Sequence, residues 1–358
     1  MARSEASNFT SRVLLTIGLV VLAGLTVYFL GKLIEVLLVI FAAVLLAVAI
    51  TGVRCIIQHR TPLSEGWSLV ATYALVVVLI TGAAAVIWPQ LSEQIPKFID
   101  QVPKALEELG EMADRMPWVE QAIESASDSN GEGDEDGGGN GGNGFNLPSH
   151  ALGVFSTTLG AITSFSLIVL IGIYFTLSPG AYVRNLLIMV PRAQRERAEE
   201  VMQAQTQSLR FWLLGRLASM VFVGVLSWIG LMLLGVPMAF TLALIAGLAT
   251  FIPYIGPILG AIPALMVALL EGPTVVLYVA ILYFLVETAE SSLIYPLATK
   301  KAVHVAPAYT VIIQLAGGVV AGIPGVILAT PLAVIGAVTI QLLYVEDVLG
   351  EDVEILGS

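Results

Sequence analysis

Apolar residues fill the chain in long runs. Residues 13–30, 33–50, 67–88, 152–177 and 211–234 each hold about 18 or more in succession with scarcely a charge. A helix needs about 20 such residues to cross the hydrocarbon of a bilayer, so each run predicts a spanning helix. The first is preceded by Arg3 and Arg12, as a signal peptide would be. It outlasts the about 7–15 apolar residues of a signal, and no small-x-small cleavage site follows, so it reads as a retained span. The short break at Gly31 and Lys32 predicts a tight hairpin between the first two spans.

Two stretches outside the runs keep helical spacing. In residues 90–125, Leu91, Ile95, Phe98, Val102, Leu106, Leu109 and Met112 recur every three or four positions with acids between them, an amphipathic arm. Such an arm either caps the bundle or packs on a neighbouring subunit. Residues 191–210 open on Pro191 and set Arg195 four residues before Glu199, which predicts a solvated helix leading into the fifth span.

Beyond Gly235-Val236-Pro237 the pattern changes. Residues 238–270 are long enough for one or two spans, yet Pro253, Pro257 and Pro263 each lack a backbone donor, and the residues before them resist helical geometry. A helix must break there. Broken backbone at membrane depth survives only when buried in protein or lining a watery cavity. The last apolar stretch carries a second break at Gly317-Gly318, Gly322-Ile323-Pro324-Gly325 and Pro331. Paired interruptions of this kind point to a transporter's binding site. The competing explanation is close helix packing through small residues, as in Gly256-x-x-x-Gly260 and Gly318-x-x-x-Gly322.

Between the breaks, residues 274–296 form a span that contains Glu287 and Glu290. Carboxylates inside a membrane are costly and usually face a bundle interior. Three residues apart, the two share a helix face, and Ser291 joins Glu287 one turn on. At that spacing they can share a proton or hold a cation, because two like charges so close resist being ionised together. Arg216, early in the fifth span, is the candidate counter-charge. The alternative is that the helix end near Lys300 and Lys301 is interfacial. Glu287 precedes Lys300 by 13 residues, about 20 Å along a straight helix, which weighs against that for Glu287.

Composition narrows the class further. Hydrophobic residues make up 57% of the 358 positions and charged residues 12%, half the charge of an ordinary soluble domain, so a soluble globular protein is excluded. The net charge of −11 is concentrated: residues 89–150 hold 13 acids and 3 bases. Within them residues 128–146 are rich in glycine and acid, a composition that reads as a disordered, hydrated tether. The basic surface that nucleic acid requires is missing. Lysines and arginines in the short loops (Arg54, Arg60, Arg184, Arg192, Arg195, Arg197, Arg210) fall on one side if the amino terminus is cytoplasmic, and the acidic insert falls on the other. Eight crossings with both termini inside result, if residues 238–270 enter and leave on the outer side and residues 307–345 go out and back. The expected organisation is three spans in residues 1–88, the external arm and loop in 89–150, a span and cytoplasmic helix in 151–210, a transport core in 211–345 and an acidic tail in 346–358. Cys55, the single cysteine, permits no intrachain disulfide.

The residues of the last third resemble the autoinducer-2 exporter family of membrane permeases. The likeness is carried by Gly215-Arg216, Gly224, Gly230 and Gly235-Val236-Pro237, by Phe251-Ile252-Pro253-Tyr254-Ile255-Gly256-Pro257 through Gly260 to Ala264, by Glu290-Ser291-Ser292 with Pro296 and Pro307, and by Gly322-Ile323-Pro324-Gly325 through Pro331-Leu332-Ala333. The first half matches in hydropathy layout. The resemblance implies an all-α, oligomeric permease of the cytoplasmic membrane that exports a small polar signal molecule or, in some members, exchanges sodium for protons. Together with the breaks and carboxylates read above, this makes Arg216, Pro253, Tyr254, Gly256, Pro257, Gly260, Glu287, Glu290, Ser291, Ser292, Gly322, Pro324 and Gly325 the expected substrate or ion pathway. Where the family tends to carry Gln and Asn around its Glu, this chain has Glu287 and Ser292, a departure that suits a cation or proton.

Other classes have less behind them. No Gly-x-x-x-x-Gly-Lys-[Ser/Thr] sequence occurs, which argues against ATP hydrolysis by this chain. His59, His150 and His304 are scattered, and neither a His-Glu-x-x-His signature nor a serine with a base at helical spacing appears, so no catalytic set, metal or cofactor is expected. A passive channel and a scaffold recruiting partners through the arm and tether stay open.

Overall fold

The computed structural model describes residues 2–61, 64–114, 163–294 and 306–351, and among them only helices and their connections occur. The acidic tether, Pro296, Lys300, Lys301, His150 and His304 lie outside the described residues. Five of the helices are long and apolar enough to cross a bilayer, six with one bent pair counted as a span. The chain is an all-α polytopic membrane protein.

The first helix, α1 (Ala2–Arg60), corrects the expected hairpin at Gly31-Lys32, because it runs through that point without a break. A glycine costs a helix about 1 kcal/mol and still donates its backbone N–H, so it cannot stop a helix with apolar runs on both sides. Lys32 also supports the turn by pairing with Glu35 at 2.9 Å. Fifty-nine residues span about 88 Å, far more than the about 30 Å of hydrocarbon, so α1 extends well outside the membrane. Two of the expected crossings are thereby one continuous helix.

The third expected span and the described part of the amphipathic arm are likewise one helix, α2 (Glu65–Asp114). Then follow α3 (Thr163–Leu177) and α4 (Pro179–Ile188), bent by 86° between them. A short 3₁₀ turn at Arg192–Gln194 leads to α5 (Arg195–Leu233), in which the expected cytoplasmic helix and fifth span are continuous. After it come α6 (Ala239–Ala249), α7 (Ile255–Glu271) and α8 (Pro273–Ala289), which continues as a π-helical turn over Glu290–Ile294. Last is α9 (Pro307–Ile340), with a π-helical end over Gln341–Glu346.

The helices fall into two compact units. One holds residues 1–52, 162–209 and 303–355. Here α3 lies close on α1, where a Cβ on Gly172 would meet Leu46 Cδ2 at 2.9 Å. The start of α5 docks on the end of α9 through Val201, Val338 and Leu342, a hydrogen bond from Gln205 to Thr339 (2.8 Å), and Arg197, which pairs with Glu200, Glu346 and Asp347. The expected break in α9 is present: Ala321 and Gly322 leave helical geometry, Gly322 at φ 61°. The two arms then fold back on each other. Gln314 donates to Thr330 at 3.2 Å although the two are 16 residues apart, a separation of about 24 Å on a straight helix. Nearer the bend, a Cβ on Gly317 would stand 2.6 Å from the Gly325 carbonyl oxygen, so only glycines let the arms approach this closely.

The other unit holds residues 53–161, 210–302 and 356–358. At its centre Leu231, Val236, Leu242, Ala264, Val267, Ala268 and Val279 join α5, α6, α7 and α8 in one apolar core. The amphipathic extension of α2 lies on this core. Phe98 packs against it, and the buried Thr241 hydroxyl bonds the Gln94 side-chain oxygen at 2.5 Å. In its described part, then, the arm caps the α6–α7 pair.

Candidate functional site

The site is built around the turn between α6 and α7. The 11 residues of α6 give a length of about 16 Å, too short to cross the bilayer, so α6 and α7 form a re-entrant hairpin. Small residues bring the two together. A Cβ on Gly260 would lie 2.7 Å from Ala246 Cα, and one on Gly256 would collide with the Ala249 carbonyl. Gly256 and Gly260 therefore serve packing, and neither lines the cavity described next.

At the hairpin tip the chain pays for its proximity in backbone strain. Tyr254, which immediately precedes α7, sits at φ 65°, a conformation rare for an aromatic residue. Pro253 and Pro257 flank it. The turn is steadied by Thr250, whose hydroxyl donates to the Ala246 carbonyl at 2.8 Å, and by the ring of Phe251 standing edge-on to Trp212 at 5.6 Å.

A cavity of about 150 Å³ opens beside this tip, lined by Arg216, Thr250, Pro253, Tyr254, Pro257, Glu287, Glu290 and Ser291. Two elements supply the charge: α5 carries Arg216, and α8 with its π-helical continuation carries Glu287 and Glu290. The structure thus gathers seven of the expected residues around one space. Ser292 is exposed and does not line it. Gly322, Pro324 and Gly325 belong to the other unit, where they shape the bend of α9.

Among the described residues of this unit Glu290 is the most enclosed charge, with 6% of its surface exposed. An ionised carboxylate at such a place costs several kcal/mol unless other groups replace its water. One replacement is the hydroxyl of Ser219, itself buried, which donates to Glu290 Oε1. The sequence reading missed Ser219. Its signal was there: Ser219 follows Arg216 by three residues on α5, hence on the same face. Glu290 also opens the π-helical turn of Glu290–Ile294. That wider turn re-aims the side chains that follow, and such turns recur at functional sites. Chemically the cavity offers one guanidinium, two carboxylates and the Ser291 hydroxyl against a wall of proline and tyrosine, a set able to replace the hydration shell of a small polar solute or a cation.

A family model described as AI-2E family transporter matches residues 15–344. Curated relatives that match each bear the name Putative transport protein. YueF of Bacillus subtilis (strain 168) is 27% identical over 190 residues, 52% of this chain and 52% of that protein. YrrI of the same organism is 32% identical over 148 residues, 41% and 42% of the two chains. MT0215 of Mycobacterium tuberculosis (strain CDC 1551 / Oshkosh) is 32% identical over 190 residues, 52% and 51%. The chain spans about half the length of the curated relatives it matches.

Proposed function

The chain belongs to the AI-2E transporter family, and from that premise we propose that it is a secondary transporter moving a small polar solute of the autoinducer-2 type across the cytoplasmic membrane by way of the cavity at the α6–α7 tip. The observation that carries this reading is the meeting of Arg216, Glu287 and Glu290 beside a broken hairpin. Charges are retained inside a membrane protein chiefly where a polar substrate or ion must pass. In this scheme Ser219 holds one oxygen of Glu290, and the solute exchanges its water for the remaining carboxylate oxygens, the Arg216 guanidinium and the Ser291 hydroxyl. The strained Tyr254 turn is the part of the lining with most conformational energy to release. The transporter works as an oligomer, as the family resemblance implies.

A second reading, exchange of sodium for protons, is favoured by one feature: two carboxylates share the cavity, a pairing that suits a cation taken up as a proton leaves. Proteoliposomes separate the two. Saturable counterflow of autoinducer-2, unaffected by sodium, is expected from the first; proton movement driven by a sodium gradient, without solute counterflow, supports the second. Absence of both fluxes from correctly inserted protein refutes the proposed activity.

A further inference from the structure

The helix α4 has a feature that solute movement does not use. It is ten residues long, and none of them is buried. Yet it is largely apolar: Tyr182, Leu186 and Met189, the last capping its carboxyl end, recur at intervals of four and three on one side, and Leu186 and Met189 expose 54% and 83% of their surface. A helix this short is marginal unless an apolar surface receives one face.

Its direction says which surface. The preceding α3 is a membrane segment whose Phe165, Leu170 and Tyr174 face outward. The chain then turns by 86° at Ser178. Ser178 leaves helical geometry, Pro179 restarts the helix, and the rings of Phe175 and Tyr182 meet edge to face at 4.9 Å across the corner. With α3 crossing the bilayer, α4 lies along its plane, and the Tyr182–Leu186–Met189 side continues the outward apolar surface of α3. The charges agree. Residues 178–195 include Arg184, Arg192 and Arg195 and no acid. Arg195 is spent on the end of α4, donating to the carbonyls of Val190 (3.0 Å) and Ile188 (3.2 Å), while Arg184 and Arg192 are exposed.

We propose that α4 is an in-plane membrane anchor, its Tyr182–Leu186–Met189 stripe immersed among the acyl chains of one leaflet and Arg184 and Arg192 set against anionic phospholipid head groups. Short amphipathic helices with basic residues bind bilayers in this way, gaining from buried apolar area and from attraction to anionic lipid. The anchor would hold the junction of α3 and α5 at a fixed depth.

The single native cysteine makes the test direct. In the full chain carrying Cys55→Ser, spin labels are placed by Leu186→Cys, Met189→Cys or Gly180→Cys, Gly180 lying on the opposite side of α4 with open space around it. The protein is set in nanodiscs of phosphatidylcholine alone or with phosphatidylglycerol, and accessibility to oxygen and to a water-soluble nickel chelate is measured. Labels at Leu186 and Met189 are expected about 5–10 Å below the phosphates, open to oxygen and closed to nickel, with the Gly180 label reversed. Phosphatidylglycerol should deepen the Met189 label, and Arg184→Gln with Arg192→Gln should abolish that shift. A Met189 label as open to nickel as the Gly180 label overturns the anchor. So does one shielded from both reagents, which would place protein over the stripe. A depth identical in both lipids overturns the head-group assignment.

Discussion

The two hairpins, α6–α7 and the folded α9, are built by one device and do different things with it. Each is an apolar stretch interrupted by Gly and Pro, and each is closed by backbones that approach where only small residues fit: Gly256 and Gly260 on Ala249 and Ala246 in one, Gly317 on Gly325 in the other. They part company in what the closed hairpin presents. Inside α9 the facing polar groups are neutral, the Gln314 amide donating to Thr330, both buried. The α6–α7 tip instead turns a strained Tyr254 and two prolines toward a cavity holding Arg216, Glu287 and Glu290. Interruption by Gly and Pro is therefore a way to fold a short helical pair in lipid, and the charge beside it is what marks a site.

If both hairpins depend on backbone contact, removing it should be the most damaging change in either. Gly256→Val and Gly317→Val each drive side-chain atoms into a facing carbonyl, and a loss beyond about 4 kcal/mol is expected. It would be seen as the absence of a monodisperse, heat-cooperative species in detergent. Next in size is the functional difference. Glu290→Gln is expected to lower solute or cation flux in proteoliposomes at least about tenfold, equivalent to about 1.4 kcal/mol, while the protein stays folded. The double change Gln314→Leu with Thr330→Val should leave flux within about twofold of the parent, under 0.5 kcal/mol on the same scale. Equal losses in the two would erase the distinction between the hairpins.

How much of this could be read from the chain follows from what kind of signal each feature leaves. The breaks ahead of α7 and at Gly322 were legible because a missing N–H or a positive φ is a property of the residue type, whereas Pro263 and Pro331, also expected to interrupt a helix, lie inside α7 and α9. The carboxylates were legible because charge in an apolar run is rare. Continuity was not: Gly31 and Lys32 are compatible with both a turn and a helix, and the apolar flanks decided for α1. Residues 90–105 likewise continue α2 and cap the α6–α7 pair, an outcome set by tertiary contacts of Gln94 and Phe98. Ser219 escaped notice because a lone serine in a membrane helix is ordinary. The π-helical turn at Glu290 depends on packing, and no residue type announces it.

Smaller effects sharpen the same contrast. Thr330→Val alone withdraws a partner from buried Gln314 and should cost about 1–3 kcal/mol in thermal unfolding. Adding Gln314→Leu should recover part of that loss, because an apolar pair has no polar group left to satisfy. Smallest is the strain at the other hairpin. Tyr254→Gly removes the cost of a left-handed tyrosine and is expected to stabilise the fold by up to about 1 kcal/mol, whereas Tyr254→Ala should not.

The claim on which the rest depends is that the space beside Glu290 is a wet passage, and Ser291, which lines it, can report on that. In the Cys55→Ser background, Ser291→Cys should react readily with a small charged methanethiosulfonate in reconstituted vesicles, and the modified protein should lose its flux. A thiol at position 291 that stays unmodified, or one that is modified while flux continues undiminished, would contradict it.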